Sequence, residues 1–237
     1  MRVETFQTPE PPSLRINIPS GAIRIDTQQT SETRVELSGS NEDDARIEMR
    51  RNEIVVEVER KKLFGARGDW RLVVSAPEGT RVDAQGASAD IEGRGRFGDV
   101  SVDSASGDIS FGSVDGRFEI NTASGDVEVD FVGDNVRVNS ASGDVTVGEA
   151  EHDVKIRTAS GDVELRSVVR GRVDVQSASG DVQIGIRQGS SVYIDASSMS
   201  GDMSSELDVS DTPPESGGPS VDFRARTMSG DVTVRRA

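Results

Sequence analysis

Acidic side chains recur in this sequence at an interval that would suit a row of cation ligands. Seven Ser-Gly-Asp copies lie at Ser106-Gly107-Asp108, Ser124-Gly125-Asp126, Ser142-Gly143-Asp144, Ser160-Gly161-Asp162, Ser179-Gly180-Asp181, Ser200-Gly201-Asp202 and Ser229-Gly230-Asp231. A degenerate copy, Ser88-Ala89-Asp90, precedes them. Carboxylates are hard oxygen ligands of the kind that Ca²⁺ takes. Calcium-binding β-rolls, however, are built from nonapeptides with a Gly-Gly-x-Gly-x-Asp frame. Here Gly and Asp are adjacent, and the motif comes once per 18 residues over most of its run. No metal site and no cofactor are therefore expected. These residues read as structural turns: Gly supplies a backbone shape closed to other residues, and Asp or Ser bonds nearby amides.

Other chemistry-bearing groups are sparse. His152 is the only histidine, and its surroundings, Glu149-Ala150-Glu151-His152-Asp153, hold no nucleophile for it to activate. There is no cysteine, so disulfides, thiolate nucleophiles and Cys-ligated metals are excluded. Arg67-Gly68-Asp69 spells an integrin-recognition tripeptide, but Gly-Asp is a frequent dipeptide in this chain and the match is read as chance. No catalytic residue is expected.

The spacing of the turns defines the elements that carry them. Successive Asp positions from Asp90 step by 18, 18, 18, 18, 19, 21 and 29. A fixed period in this range marks a stacked repeat fold. Within a repeat, Val136 and Val138 alternate with Arg137 and Asn139, then come the turn and Val145 and Val147. Phe118/Ile120 with Val127/Val129, Val154/Ile156 with Val163/Leu165, and Val173/Val175 with Val182/Ile184 keep the same frame. Alternation with period two is the strand signal. Each repeat thus gives two short strands and two corners. It cannot fold alone, but stacked in register it pairs with its neighbour at about 4.8 Å. The prediction is an all-β, single-stranded β-solenoid with parallel sheets and inward ladders of Val and Ile. Val145 and Val163 should point inward on equivalent rungs. An interior this thin should seldom hold large rings, in keeping with an aromatic content of 4%. An 18-residue coil also suits hexapeptide acyltransferases, but their aliphatic residue recurs every six positions and this chain's do not.

Residues 1–237 read as one domain: irregular N-terminal coils over 1–98 acting as a cap, then regular repeats over 99–237. Leu14 to Ile25 looks like a worn copy of the repeat. Arg34 to Leu37, Ala45 to Met49, Ile54 to Val58, Arg71 to Ser75 and Arg81 to Ala84 are further strand candidates. Lys61 to Asp69 reads as a loop. A Pro/Gly-rich loop at 211–220 interrupts the last repeat. The final repeat, Ser229 to Val234, is nearly terminal, so the C-terminal coil should present an open strand edge. A monomer, or a weak dimer through that coil, is expected.

Phe6-x-Thr8-Pro9, the run Leu72-Val73-Val74-Ser75-Ala76-Pro77-Glu78-Gly79-Thr80-Arg81-Val82, and the iterated Ala-Ser-Gly-Asp-Val together resemble a bacterial β-strand-repeat family. That family is labelled "putative adhesin" and is a domain of unknown function in the toast-rack group. The resemblance spans nearly the whole chain. It implies a right-handed β-solenoid, association with envelope-stress systems of the phage-shock and Lia type, and no catalytic residues.

Net charge is −15, spread as −2 over residues 1–98 and −13 over 99–237. An acidic surface of this kind repels nucleic acid and anionic lipid. No segment has the length of a membrane span, and the start lacks an apolar signal core. A cytoplasmic location and an unidentified protein partner are the corresponding expectations. The favoured function is a non-enzymatic interaction or scaffold module. The alternatives are a surface adhesin or filament-forming protein and, more remotely, a carbohydrate-active β-helix enzyme.

Overall fold

In the computed structural model, residues 1–39, 45–58, 70–207 and 218–237 are described. Every regular element among them is a β-strand. No helix of the described residues is long and apolar enough to cross a membrane. The Arg67-Gly68-Asp69 tripeptide, the Lys61 to Asp69 loop and most of the 211–220 loop lie outside these residues.

Alternating side chains drive the repeat region. In β9 (Phe118–Ser124) Phe118, Ile120 and Thr122 face inward. In β10 (Val127–Val132) Val127, Val129 and Val132 do so. The same frame recurs in β11 (Val136–Ser142) with β12 (Val145–Ala150), and in β13 (Val154–Ser160) with β14 (Val163–Val168). It continues in β15 (Gly171–Ser179) with β16 (Val182–Ile186). Parallel pairing stacks equivalent residues: Ile109, Val127, Val145, Val163 and Val182 form one column, and Phe118, Val136, Val154 and Val173 another. Val145 and Val163 are both inside, each 1% exposed. The solenoid-like, all-β architecture read from the sequence is what forms.

Large rings do enter the interior. Phe97, Phe111 and Phe118 pack edge to face, with centroids 5.2 and 6.0 Å apart. They are admitted because Gly93 faces Phe111: a Cβ there would lie 2.3 Å from the ring. Phe223 is also fully buried.

The N-terminal third departs from the repeat. β2 (Ser13–Gln28) and β7 (Thr80–Ser106) are long strands that bend through the corner, and they pair in parallel along most of β2. Around them the pairing becomes antiparallel. β1 (Arg2–Gln7) joins β3 (Glu32–Ser38), and β3 joins β6 (Trp70–Pro77). β4 (Ala45–Arg50) and β5 (Glu53–Val58) form a hairpin whose second strand runs parallel to β2. Leu14 to Ile25 does stack as a worn coil, with Ser20 and Gly21 in register with Ser88 and Ala89 and Gly21 at φ +124°; the antiparallel ribbons lie beyond it.

The last coil in sequence is not the last in space. β17 (Ser191–Ser200) and β18 (Met203–Ser205) follow β16, yet they do not pair with β15 or β16. Instead β19 (Ser220–Ser229) pairs with β15 on one side and β17 on the other. Likewise β20 (Val232–Arg236) lies between β16 and β18. The chain steps over one rung after Ile186, builds the outer coil, then returns to fill the gap. This corrects the expectation of an open edge at the C-terminal coil: both edges of that coil are paired, and the uncovered coil is 191–205. Sequence order alone does not show this, although the copy at 199–205 departs from the rest, with Met199 before the turn and Met203-Ser204-Ser205 in place of two apolar rungs.

Candidate functional site

The Ser-Gly-Asp corners fall on one edge of the stack, as the spacing requires. Asp108 N–H donates to Asp90 Oδ1 at 3.1 Å, Asp126 N–H to Asp108 Oδ1 at 3.0 Å, and Asp144 N–H to Asp126 Oδ1 at 2.9 Å. Asp162 bonds Asp144, and Asp181 bonds Asp162, each at 2.8 Å. Beyond Asp181 the order follows space: Asp231 bonds Asp181, and Asp202 bonds Asp231, again at 2.8 Å. Along the row from Asp90 to Asp231, each carboxylate therefore accepts the backbone amide of the next coil, and Asp202 ends the row. Unscreened like charges about 4.8 Å apart in water repel by about 0.9 kcal/mol, and a charge-assisted hydrogen bond of about 1.5–3 kcal/mol offsets that.

Gly is required at this corner for two reasons. Gly143 has φ +114°, and a Cβ there would sit 2.3 Å from the carbonyl oxygen of Gly125. The same close stacking recurs from Gly107 through Gly125, Gly161, Gly180, Gly230 and Gly201. The Ser residues of the motif are exposed or half-buried, and Ser106 Oγ meets Ser88 Oγ at 3.0 Å. The inward hydroxyl belongs to the residue two positions earlier. Thr122 donates to the Ser124 carbonyl, Thr158 to Ser160, Ser177 to Ser179 and Thr227 to Ser229, at 2.9–3.1 Å. Reading only the tripeptide missed these residues, although they recur with the same period.

A second periodic row faces outward beside this corner. Asn121 Nδ2 donates to Asp103 Oδ1 at 2.9 Å, and Asn139 Nδ2 donates to Asn121 Oδ1 at 2.8 Å. These residues, Arg157, Ala123 and Ala141 help to line an open groove of about 590 Å³. Amide groups both donate and accept, and the small alanines leave the groove wide. It presents polar groups once per coil, about 4.8 Å apart across the strands. The signal was available in the sequence at positions 103, 121, 139 and 157, one coil apart, but polar outward positions look like ordinary strand surface.

His152 sits on an exposed turn with Nε2 3.3 Å from an Arg170 guanidinium nitrogen. The acidic flank near Asp144, Asp162 and Asp181 forms a shallow recess of about 270 Å³ that also holds Thr146, Glu164 and Gln183. Among the described residues, no three His, Cys, Asp or Glu side chains are arranged to hold a metal ion. On the opposite flank, Arg96 pairs with both Asp115 oxygens at 2.9 and 3.0 Å. That hydrogen bond, reinforced by the Asp115 charge, raises the Arg96 pKa further above its ordinary value.

The Toastrack DUF4097 family model matches residues 12–235. Among solved structures, a "putative adhesin" from Bacteroides fragilis is 14% identical with a TM-score of 0.54, over 100% of this chain and 96% of that one. A "putative lipid binding protein" from Parabacteroides distasonis is 11% identical with a TM-score of 0.54, over 98% and 96%. A "putative adhesin" from the same species is 11% identical with a TM-score of 0.51, over the same shares. At these identities the likeness concerns the fold alone. No curated protein matches the sequence.

Proposed function

This chain belongs to the Toastrack DUF4097 family, and from that premise we propose that it is a non-catalytic interaction scaffold acting in bacterial envelope-stress signalling. One observation carries the reading: coils in strict register hold Asp103, Asn121 and Asn139 in a hydrogen-bonded outward row along an open groove. A rigid row of this kind offers a partner three polar contact points, one coil apart, with little ordering cost. The setting, phage-shock or Lia-type systems, rests on the sequence resemblance, and a cytoplasmic location is part of the proposal. The partner is a protein that presents polar groups at the coil spacing of about 4.8 Å.

The test is an envelope-stress reporter in the native host. Deleting the gene should change induction of the reporter by a membrane-perturbing agent. A chain carrying Asn121→Lys and Asn139→Lys should stay folded, with a melting temperature lowered only by the loss of those two hydrogen bonds, and reproduce the deletion. An unchanged reporter in the deletion strain would sink the signalling role. A surface adhesin is the second reading, favoured by the descriptions of two structural neighbours. Protease digestion of the chain on intact cells would support it in place of the first.

A further inference from the structure

The β17–β18 coil ends the stack, and its outer side has no strand partner among the described residues. Three features set this end apart. Rung positions buried in inner coils are uncovered here. Val192, Ile194 and Ala196 are only half-buried, and Met203, in the column of Val182 and Val232, is 51% exposed. The residue before Ser-Gly-Asp is alanine in five coils but methionine in the last two in space, Met228 and Met199. These two are neighbours, 59% and 82% exposed, and Tyr193 on the same strand is 64% exposed. Finally, β17 carries one charged residue, Asp195, and no Lys, Arg or Pro. Those are the usual blocks on an edge strand, and without them an edge is a template for another chain.

We propose that a second copy of this chain covers the β17–β18 end, giving an end-to-end dimer about a twofold axis. What already lies against β17 is β19, a coil of this same sequence, in register from Ser191↔Ser220 to Ser200↔Ser229. That pairing is parallel, whereas a twofold axis sets the free side of β17 antiparallel to the facing strand of its copy, an arrangement that keeps the period-two alternation of the Val-x-Ile-x-Ala rungs. Met199 is unbranched and adapts to its own copy across the axis. A twofold joint closes at two chains, whereas head-to-tail joining would run on into a filament. Each copy carries a net charge of −15, so salt should tighten this dimer by screening their repulsion; a basic partner on the same end would be released by salt.

The proposal deepens the scaffold reading by naming one partner, and its test is independent of the reporter. Light scattering after gel filtration of the full chain, over a range of protein and salt concentrations, should give twice the monomer mass. The dimer fraction should rise with salt. Tyr193→Lys with Met199→Lys changes two exposed side chains; it should keep the melting temperature and return the mass to one chain. Met199→Lys alone should weaken the dimer, and Met199→Leu should preserve it. A one-chain mass under every condition overturns the proposal while leaving the scaffold reading intact. Growth past two chains overturns it too, as does a dimer that the double variant leaves unweakened.

Discussion

A single carboxylate at each corner meets two opposed effects. Asp144 accepts the Asp162 amide at 2.8 Å while sitting in a column of like charges. Asp144→Asn keeps an oxygen acceptor and removes a charge. Its melting temperature should equal or exceed that of wild type at low salt, with the difference fading as salt is added. Asp144→Ala removes the acceptor and should cost about 1 kcal/mol. If melts show Asn to be as damaging as Ala, the charge rather than the acceptor holds the corner. Gly143 is less forgiving. Gly143→Val places a branched side chain at φ +114° and against the Gly125 carbonyl. Urea unfolding should show a loss above about 3 kcal/mol. The tripeptide foretold the Gly turn, whose backbone shape is local, but the Asp carboxylate bonds an amide one coil away rather than a nearby turn amide. Nor did the tripeptide foretell the capping hydroxyls of Thr122 and Thr158, whose partners emerge only once the strand's inward face is known.

Strand pairs were legible because each repeats one alternation. Val145 stacks between Val127 and Val163 and is 1% exposed. Val145→Asp would bury an unpaired charge and should cost several kcal/mol. Val145→Ile should cost below about 1.5 kcal/mol. Thermal melts check both; an Asp variant as stable as wild type would contradict the inward placement. The antiparallel ribbons of the first third were harder to see. The candidates at Arg34, Ala45, Ile54 and Arg71 all lie within strands, but direction depends on which edge a strand meets, and alternation is the same either way. β1 went unread because Arg2 to Gln7 is half-buried on one side only. The aromatic cluster was missed because the space for Phe111 comes from Gly93, a residue on another coil whose lack of a side chain carries no pattern.

Seen whole, the molecule is a polyanion with its charge concentrated in the repeats. General screening should stabilise it without a defined site, so millimolar Ca²⁺ should raise the melting temperature no more than Mg²⁺ does. Calorimetric Ca²⁺ binding that is tight and of integer stoichiometry would contradict this. The step over one rung after Ile186 concerns time as well as space. A ribosome delivers β17 and β18 before the coil that must lie beneath them. Inner coils can dock in the order they emerge, but 191–205 has nothing to rest on until β19 and β20 arrive and close the gap. Nascent chains stalled before residue 218 should leave residues 191–205 open to protease. Chains released after Arg236 should protect them. The tip of the molecule is therefore held by residues translated after it, and a product that stops short of β19 and β20 betrays itself by a loose end.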